Sequence, residues 1–215
     1  MMKTFSARSV LVLSLSLSSF SIISPITNAV AQTTNVHAII TPVQCLYTAL
    51  KQVQDSHADF TQRSKIVGTA VDQAYDLETL LKASVGLRYN ALSADEKQKL
   101  LHTFRDFTVA HYVSSFKPGS DAHFTISPNV TDSPIAGSKI VQTYIGSADN
   151  MPGTEVDYIV TNKNGTWKVT DVLLGDSHIS QAAAQHSDFR STLTSGGVPK
   201  LITLLERKIE SYSKD

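Results

Sequence analysis

Seven histidines, a single cysteine and one well-placed aspartate are the residues of this chain that could do chemistry. Metal binding needs ligands whose spacing converges on one ion, such as His-x-x-x-His on a helix or Cys-x-x-Cys in a turn. Neither spacing occurs, and His57, His102, His111 and His123 lie far apart in the pattern, so no metal is expected. Ser177 and His178 are adjacent. Neighbours on an extended chain point apart, whereas a nucleophile and its base must meet within hydrogen-bond reach, so these two read as turn residues. There is no glycine-rich phosphate loop and no Gly-x-Ser-x-Gly elbow. Cys45 has no partner for a disulfide, and Thr41-Pro42-Val43-Gln44 before it does not resemble a lipidation box. Its place on an apolar helical stripe predicts a buried, inert thiol. The remaining candidate is Asp171, which strand pairing puts opposite Tyr158 on a ring-lined face. A carboxylate beside a phenol in an apolar pocket could act as a general base. The plainer reading is a hydrogen bond that pins the hairpin, and it is preferred because no second acid, base or oxyanion donor can be placed nearby.

The elements that position these residues begin with an export signal. Lys3 and Arg8 stand without an acid, a 17-residue run rich in Leu, Val, Ile and Ser follows from Val10 to Ile26, and Ala29-Val30-Ala31 closes it. That order predicts a secretory signal peptide over residues 1–31, cut after Ala31, and an exported chain of residues 32–215. Six serines and Pro25 dilute the run, which is shorter than the roughly 20 apolar residues of a spanning helix. Removing Lys3 and Arg8 leaves 17 basic against 19 acidic residues, a balance that argues against nucleic acid as a partner. One domain is expected, with a helical part over about 42–117, a sheet part over about 121–175 and C-terminal helices over about 180–212.

Thr41-Pro42 reads as the N-cap and first position of a helix, with Gln44 completing a capping box. Val43, Leu46, Tyr47, Leu50 and Val53 follow at helical spacing. A second helix is predicted from near Asp59 to Ala74, weakened by Gly68. Asp76 caps a short helix ending at Gly86. Ser93 and Glu96 form a capping box that opens what reads as the longest helix of the chain, with Leu100, Phe104, Phe107 and His111 on its stripe. The period then changes. Ala122 to Ser127, Lys139 to Ile145, Glu155 to Thr161 and Thr166 to Leu174 read as strands, the last two joined across Asn164-Gly165. Simple two-residue pairing sets Val160 opposite Val169 and Tyr158 opposite Asp171. A helix from Ser187 to Ser195 stops at Gly196-Gly197, and Pro199 opens the last one. The order predicts an α+β fold: a curved antiparallel sheet of about four strands packed with helices on one face.

Several of these segments together resemble the MlaC family, also called the toluene-tolerance family. Tyr75-Asp76-Leu77-Glu78-Thr79-Leu80-Leu81, Val85-Gly86 and Leu92-Ser93-Ala94-Asp95-Glu96-Lys97 are similar to its "FD…G…LS-EQ" stretch. Phe104-Arg105-Asp106-Phe107, His111-Tyr112, Gly165 to Val172 and Ser187-Asp188-Phe189-Arg190 continue the likeness from about Pro42 to Tyr212. The resemblance implies a nuclear-transport-factor-like sheet joined to a helical part, and a periplasmic carrier without cofactor or catalysis. Such a carrier ferries phospholipid between an outer-membrane lipoprotein complex and an inner-membrane ABC transporter, in a system that maintains outer-membrane lipid asymmetry. Phospholipid carriers usually have a "GxSL…YR-QF" segment. Here Gly175 to Ser180 leads into Gln185-His186-Ser187-Asp188-Phe189-Arg190, which is more similar to the hopanoid-associated HpnM branch. That leaves phospholipid and hopanoid both open as the ligand.

A carrier has a physical requirement. A buried methylene gains about 0.8 kcal/mol, so a sixteen-carbon tail gains roughly 12 kcal/mol and cannot cross water bare. The carrier reading therefore requires a hollow, apolar interior between the sheet and the helices. Leu81, Phe104, Phe107, Tyr112, Tyr144, Tyr158, Val160, Trp167 and Val169 are the expected lining. Lys200, Arg207 and Lys208 on the last helix could meet a head group or an acidic partner. Two other readings stand beside it: a small enzyme using the Asp171 carboxylate on the same scaffold, and an adaptor that binds only proteins through a filled core.

Overall fold

A computed structural model describes residues 26–214 of the chain, with side chains described from Asn35 onward. The expected export segment falls largely outside that range. Four helices come first: α1 (Ile26–Gln54), α2 (Phe60–Ala74), α3 (Leu77–Val85), a 3-10 turn (Gly86–Ala91) and α4 (Ala94–Ser115). Five strands follow, β1 (His123–Asp132), β2 (Ser138–Ser147), β3 (Asn150–Lys163), β4 (Thr166–Leu174) and β5 (Ile179–Ser180), and α5 (Gln181–Tyr212) ends the chain. The strands form one antiparallel sheet in sequence order. The fold is α+β as expected. The fifth strand was not foreseen, because two residues carry no period.

Local chemistry sets most of the helix ends. The Asp59 carboxylate accepts from the Gln62 amide at 2.8 Å, and Asp76 accepts from the Thr79 amide at 3.0 Å. Ser93 and Glu96 form the reciprocal box in full. The N-cap expected at Thr41 is not one. Its hydroxyl donates back to the His37 carbonyl at 2.7 Å, and Pro42 lies inside α1. Threonine can bond the carbonyl one turn behind as well as a free amide ahead, and the sequence does not show which it does. With 29 residues α1 exceeds the 22 of α4, so α4 is not the longest helix. The helix expected to start at Ser187 starts at Gln181, where Ser180 accepts from the Ala183 amide. The break at Gly197 is present, with φ 64° and ψ −159°.

The helices meet one face of the sheet. Tyr158 and Val160 on β3, Val141 on β2 and Val169 on β4 are buried against Leu46 and Leu50 of α1, Val67 and Val71 of α2, Leu80 and Leu81 of α3 and Phe104 of α4. Each such side chain contributes roughly 1.5–3 kcal/mol. Hairpin pairing begins as expected, with Lys163 opposite Thr166 and Val160 opposite Val169. A β-bulge then intervenes. Ile159 faces Asp171, and Tyr158 faces Val172 rather than Asp171. Thr170 is the extra residue, held by its hydroxyl to that of Thr161 at 2.8 Å. One inserted residue re-aims every later side chain of the strand, which is why Val172 is buried and Asp171 is not beside Tyr158.

Candidate functional site

Four phenols meet between the sheet and the helices. Tyr47 reaches in from α1, and its ring stands edge-on to that of Tyr158 with centroids 5.8 Å apart. The Thr143 hydroxyl donates to the Val156 carbonyl, so the Tyr47 hydroxyl is the donor of its own 2.6 Å bond to Thr143. Tyr75, at the end of α2, shares a 2.5 Å hydrogen bond with Tyr112 of α4. Tyr112 also interacts with Tyr158. Burial raises the pKa of all four, so each remains a neutral donor and acceptor.

Two clefts flank this cluster. One, of about 760 Å³, is lined by Tyr75, Leu77 and Leu101, by the cations Arg105, Lys163 and Lys168, and by the carboxylates of Asp72, Asp76 and Glu78. Arg105 grips Asp72 through two 2.7 Å bonds, and Lys163 pairs with Asp76. Its guanidinium crosses α2 at Gly68, where a Cβ would lie 2.8 Å from Nη2. That explains the mid-helix glycine. The second cleft, about 490 Å³, is lined by Tyr47, Phe124, Ile126 and Met151. Tyr75 opens on the first cleft and Tyr47 on the second, so the phenol cluster bridges the two. Rings extend it further: Phe124 contacts Phe116, Phe116 contacts Tyr112, and Phe107, His111 and Tyr212 cluster beyond, with Lys208 Nζ 5.9 Å from the Phe107 centroid.

The nine residues expected to line a hollow are distributed as follows. Leu81, Phe104, Val160 and Val169 are fully buried, and Tyr158 is 1% exposed. These five pack directly on their neighbours instead of facing a void. Phe107, Tyr112 and Trp167 are partly buried against the same core. Alternation along β2 sets Tyr144 on the face opposite Thr143, away from the helices. Of the nine, only Trp167 borders a described cleft, one of about 480 Å³ beside α1. At those five positions the sheet face and the helix stripes are packed together, a matter of volume that pattern reasoning does not reach. Tyr75 and Tyr47, which line the two flanking clefts, were not among the nine, because each also fits a helix stripe or a cap junction.

Asp171 accepts from the Ser180 hydroxyl at 2.5 Å, from the Val172 amide at 2.8 Å and from the Ala182 amide at 3.1 Å. It ties β4 to the start of α5, a structural task like the one preferred from sequence but with a different partner. Cys45 is half-exposed, not buried, and its thiol donates to Gln73 at 3.2 Å. Lys200, Arg207 and Lys208 are exposed on α5. Among the described residues no helix is long and apolar enough to cross a membrane.

No curated protein sequence matches the chain. Among solved structures, the chain is similar to the phospholipid-binding protein from Ralstonia solanacearum, determined in complex with a phospholipid. The identity is 14% and the TM-score 0.68, over 82% of this chain and 98% of that one. At that identity the likeness establishes the fold alone. A family model described as "MlaC protein" matches residues 42–207, which takes in α2 to α4, the whole sheet and most of α5. That span holds the phenol cluster and both of its flanking clefts, and the chain belongs to the MlaC family.

Proposed function

We propose that this chain is an exported, periplasmic lipid carrier. It takes up a phospholipid or hopanoid-type lipid and passes it between an outer-membrane lipoprotein complex and an inner-membrane ABC transporter. The observation that carries the reading is family membership across both the helical and the sheet parts. The phospholipid held by the Ralstonia solanacearum protein of the same fold supports it. On this reading the tails enter between the sheet and the helices by parting the phenol cluster, from one flanking cleft toward the other. Tyr47, Tyr75, Tyr112 and Tyr158 then border the tails, with Phe104, Phe107 and Val160 behind them. A phosphate at the larger mouth would meet Arg105, Lys163 and Lys168. The chemistry is binding alone, and Asp171, with its oxygens engaged by β4, β5 and α5, has no reacting role.

Purification of the chain from its host, organic extraction and mass spectrometry test the reading. A lipid at about one equivalent per chain is expected. Its absence, with no uptake from phospholipid vesicles, would sink the proposal in favour of a protein-only adaptor.

A further inference from the structure

Glu155 and Asp157 stand two residues apart on β3, so alternation sets both side chains on the face opposite Tyr158. The turn from Gly175 to His178 folds over them. It is anchored by the Gly175 amide, which donates to the Glu155 carbonyl at 3.0 Å, and by the His178 amide, which donates to the Gly175 carbonyl at 2.9 Å. One ligand atom from each of Glu155, Asp157 and His178 lies within 4.8 Å of the other two. The Asp157 side chain is 6% exposed, and its buried Oδ1 has no hydrogen-bond partner. A buried carboxylate oxygen without a hydrogen bond is costly, and the His178 imidazole stands beside the other oxygen, so a cation held between these groups would offset that cost.

We propose that Glu155, Asp157 and His178 form a binding site for a divalent transition ion of the zinc type, separate from the lipid path. His178 Nδ1 stands 3.5 Å from Asp157 Oδ2. That is long for a hydrogen bond. It is close to the edge of a tetrahedron built on bonds of 2.0–2.1 Å, about 3.3 Å. One imidazole and two carboxylates suit zinc better than calcium or magnesium, which favour all-oxygen shells. Two carboxylates balance the ion's charge, and three protein ligands leave a fourth position for water. Gln142 Nε2 donates to Glu155 Oε1 at 2.6 Å, which fixes the carboxylate and leaves its other oxygen free to coordinate. Burial, and then the Glu155 charge, push the Asp157 carboxyl above its usual range, while the Thr143 amide and His178 draw it back in part. His178 is exposed at the turn and Asp157 is buried, so the ion would tie the β4–β5 turn to β3.

Chelator-treated full chain, titrated with ZnCl2 against a chromophoric zinc indicator, tests the site. One saturable equivalent is expected, weakened at least about tenfold in Asp157→Asn and, separately, in His178→Ala. Because His178 is an exposed turn residue, its variant should fold even if Asp157→Asn does not, and circular dichroism checks both. No saturable equivalent, or one undiminished in folded His178→Ala, overturns the proposal. Either result leaves lipid extraction unaffected, so the two readings fail independently.

Discussion

At the scale of the residue, the Tyr75–Tyr112 pair makes the sharpest claim. In Tyr75→Phe the Tyr112 hydroxyl loses its bond to Tyr75 and keeps only its interaction with Tyr158, at a cost of about 1–3 kcal/mol. The double variant with Tyr112→Phe removes both polar groups and should cost less than the two single changes added together. Urea unfolding of the four proteins measures the cycle; two losses that simply add would show that the hydroxyls do not share a bond. The separate types of residue were legible in the sequence: Tyr112 and Tyr158 stood out as interior rings. Their meeting with Tyr47 and Tyr75 was not, since it depends on three helices converging on one strand. Glu155 and Asp157 were hidden for a similar reason, because their partner His178 comes from a turn 21 positions beyond Asp157 whose fold-back no short-range pattern encodes.

At the scale of the element, capping chemistry could be read residue by residue. Asp59, Asp76 and the Ser93–Glu96 box sit where their types and spacing placed them. The misses arose where one local signal has two solutions. Thr41 bonds backward instead of capping forward, and the hairpin after Asn164-Gly165 absorbs an extra residue at Thr170. α5 offers a test at this scale. Gly197 divides it at φ 64° and ψ −159°, a region open in practice only to glycine. Gly197→Ala should lower stability by about 1–3 kcal/mol, seen as a shifted midpoint in thermal or urea unfolding. An unchanged midpoint would mean that the two halves of α5 can join without the break.

At the scale of the whole molecule, acid should loosen the fold through two groups. Crowding by neighbouring side chains lowers the His111 pKa, although its ring keeps solvent-facing surface, and the Lys208 charge adds to the effect. The folded chain thus binds that proton less readily than the unfolded chain, so stability is full above the ordinary histidine value and falls as pH drops below it. Burial works against charge on Asp76, but hydrogen bonds from Lys163 and Thr79 prevail and hold its carboxyl below the usual range. Its contribution is present above the ordinary carboxylate value and is lost at lower pH, as the folded-state value is crossed. Through His111, urea midpoints should fall between pH 7.5 and 5.0, with a smaller drop in His111→Asn, whereas Asp76 adds its loss only in stronger acid; an equal drop would acquit His111. The class of the fold was legible because the change from helical to strand period is a property of the whole chain. Interior volume was not, because apolar stripes look alike whether they enclose space or fill it.

If lipid passes through them as proposed, the interlocked phenols bear on kinetics as much as on affinity. A hydrocarbon tail moving between Tyr75 and Tyr47 would exchange one set of contacts for another at every step, with hydroxyls re-pairing behind it. Departure then exposes little fresh surface to water at any moment, and the steep barrier that a rigid greasy socket imposes on handover is divided into shallow rungs.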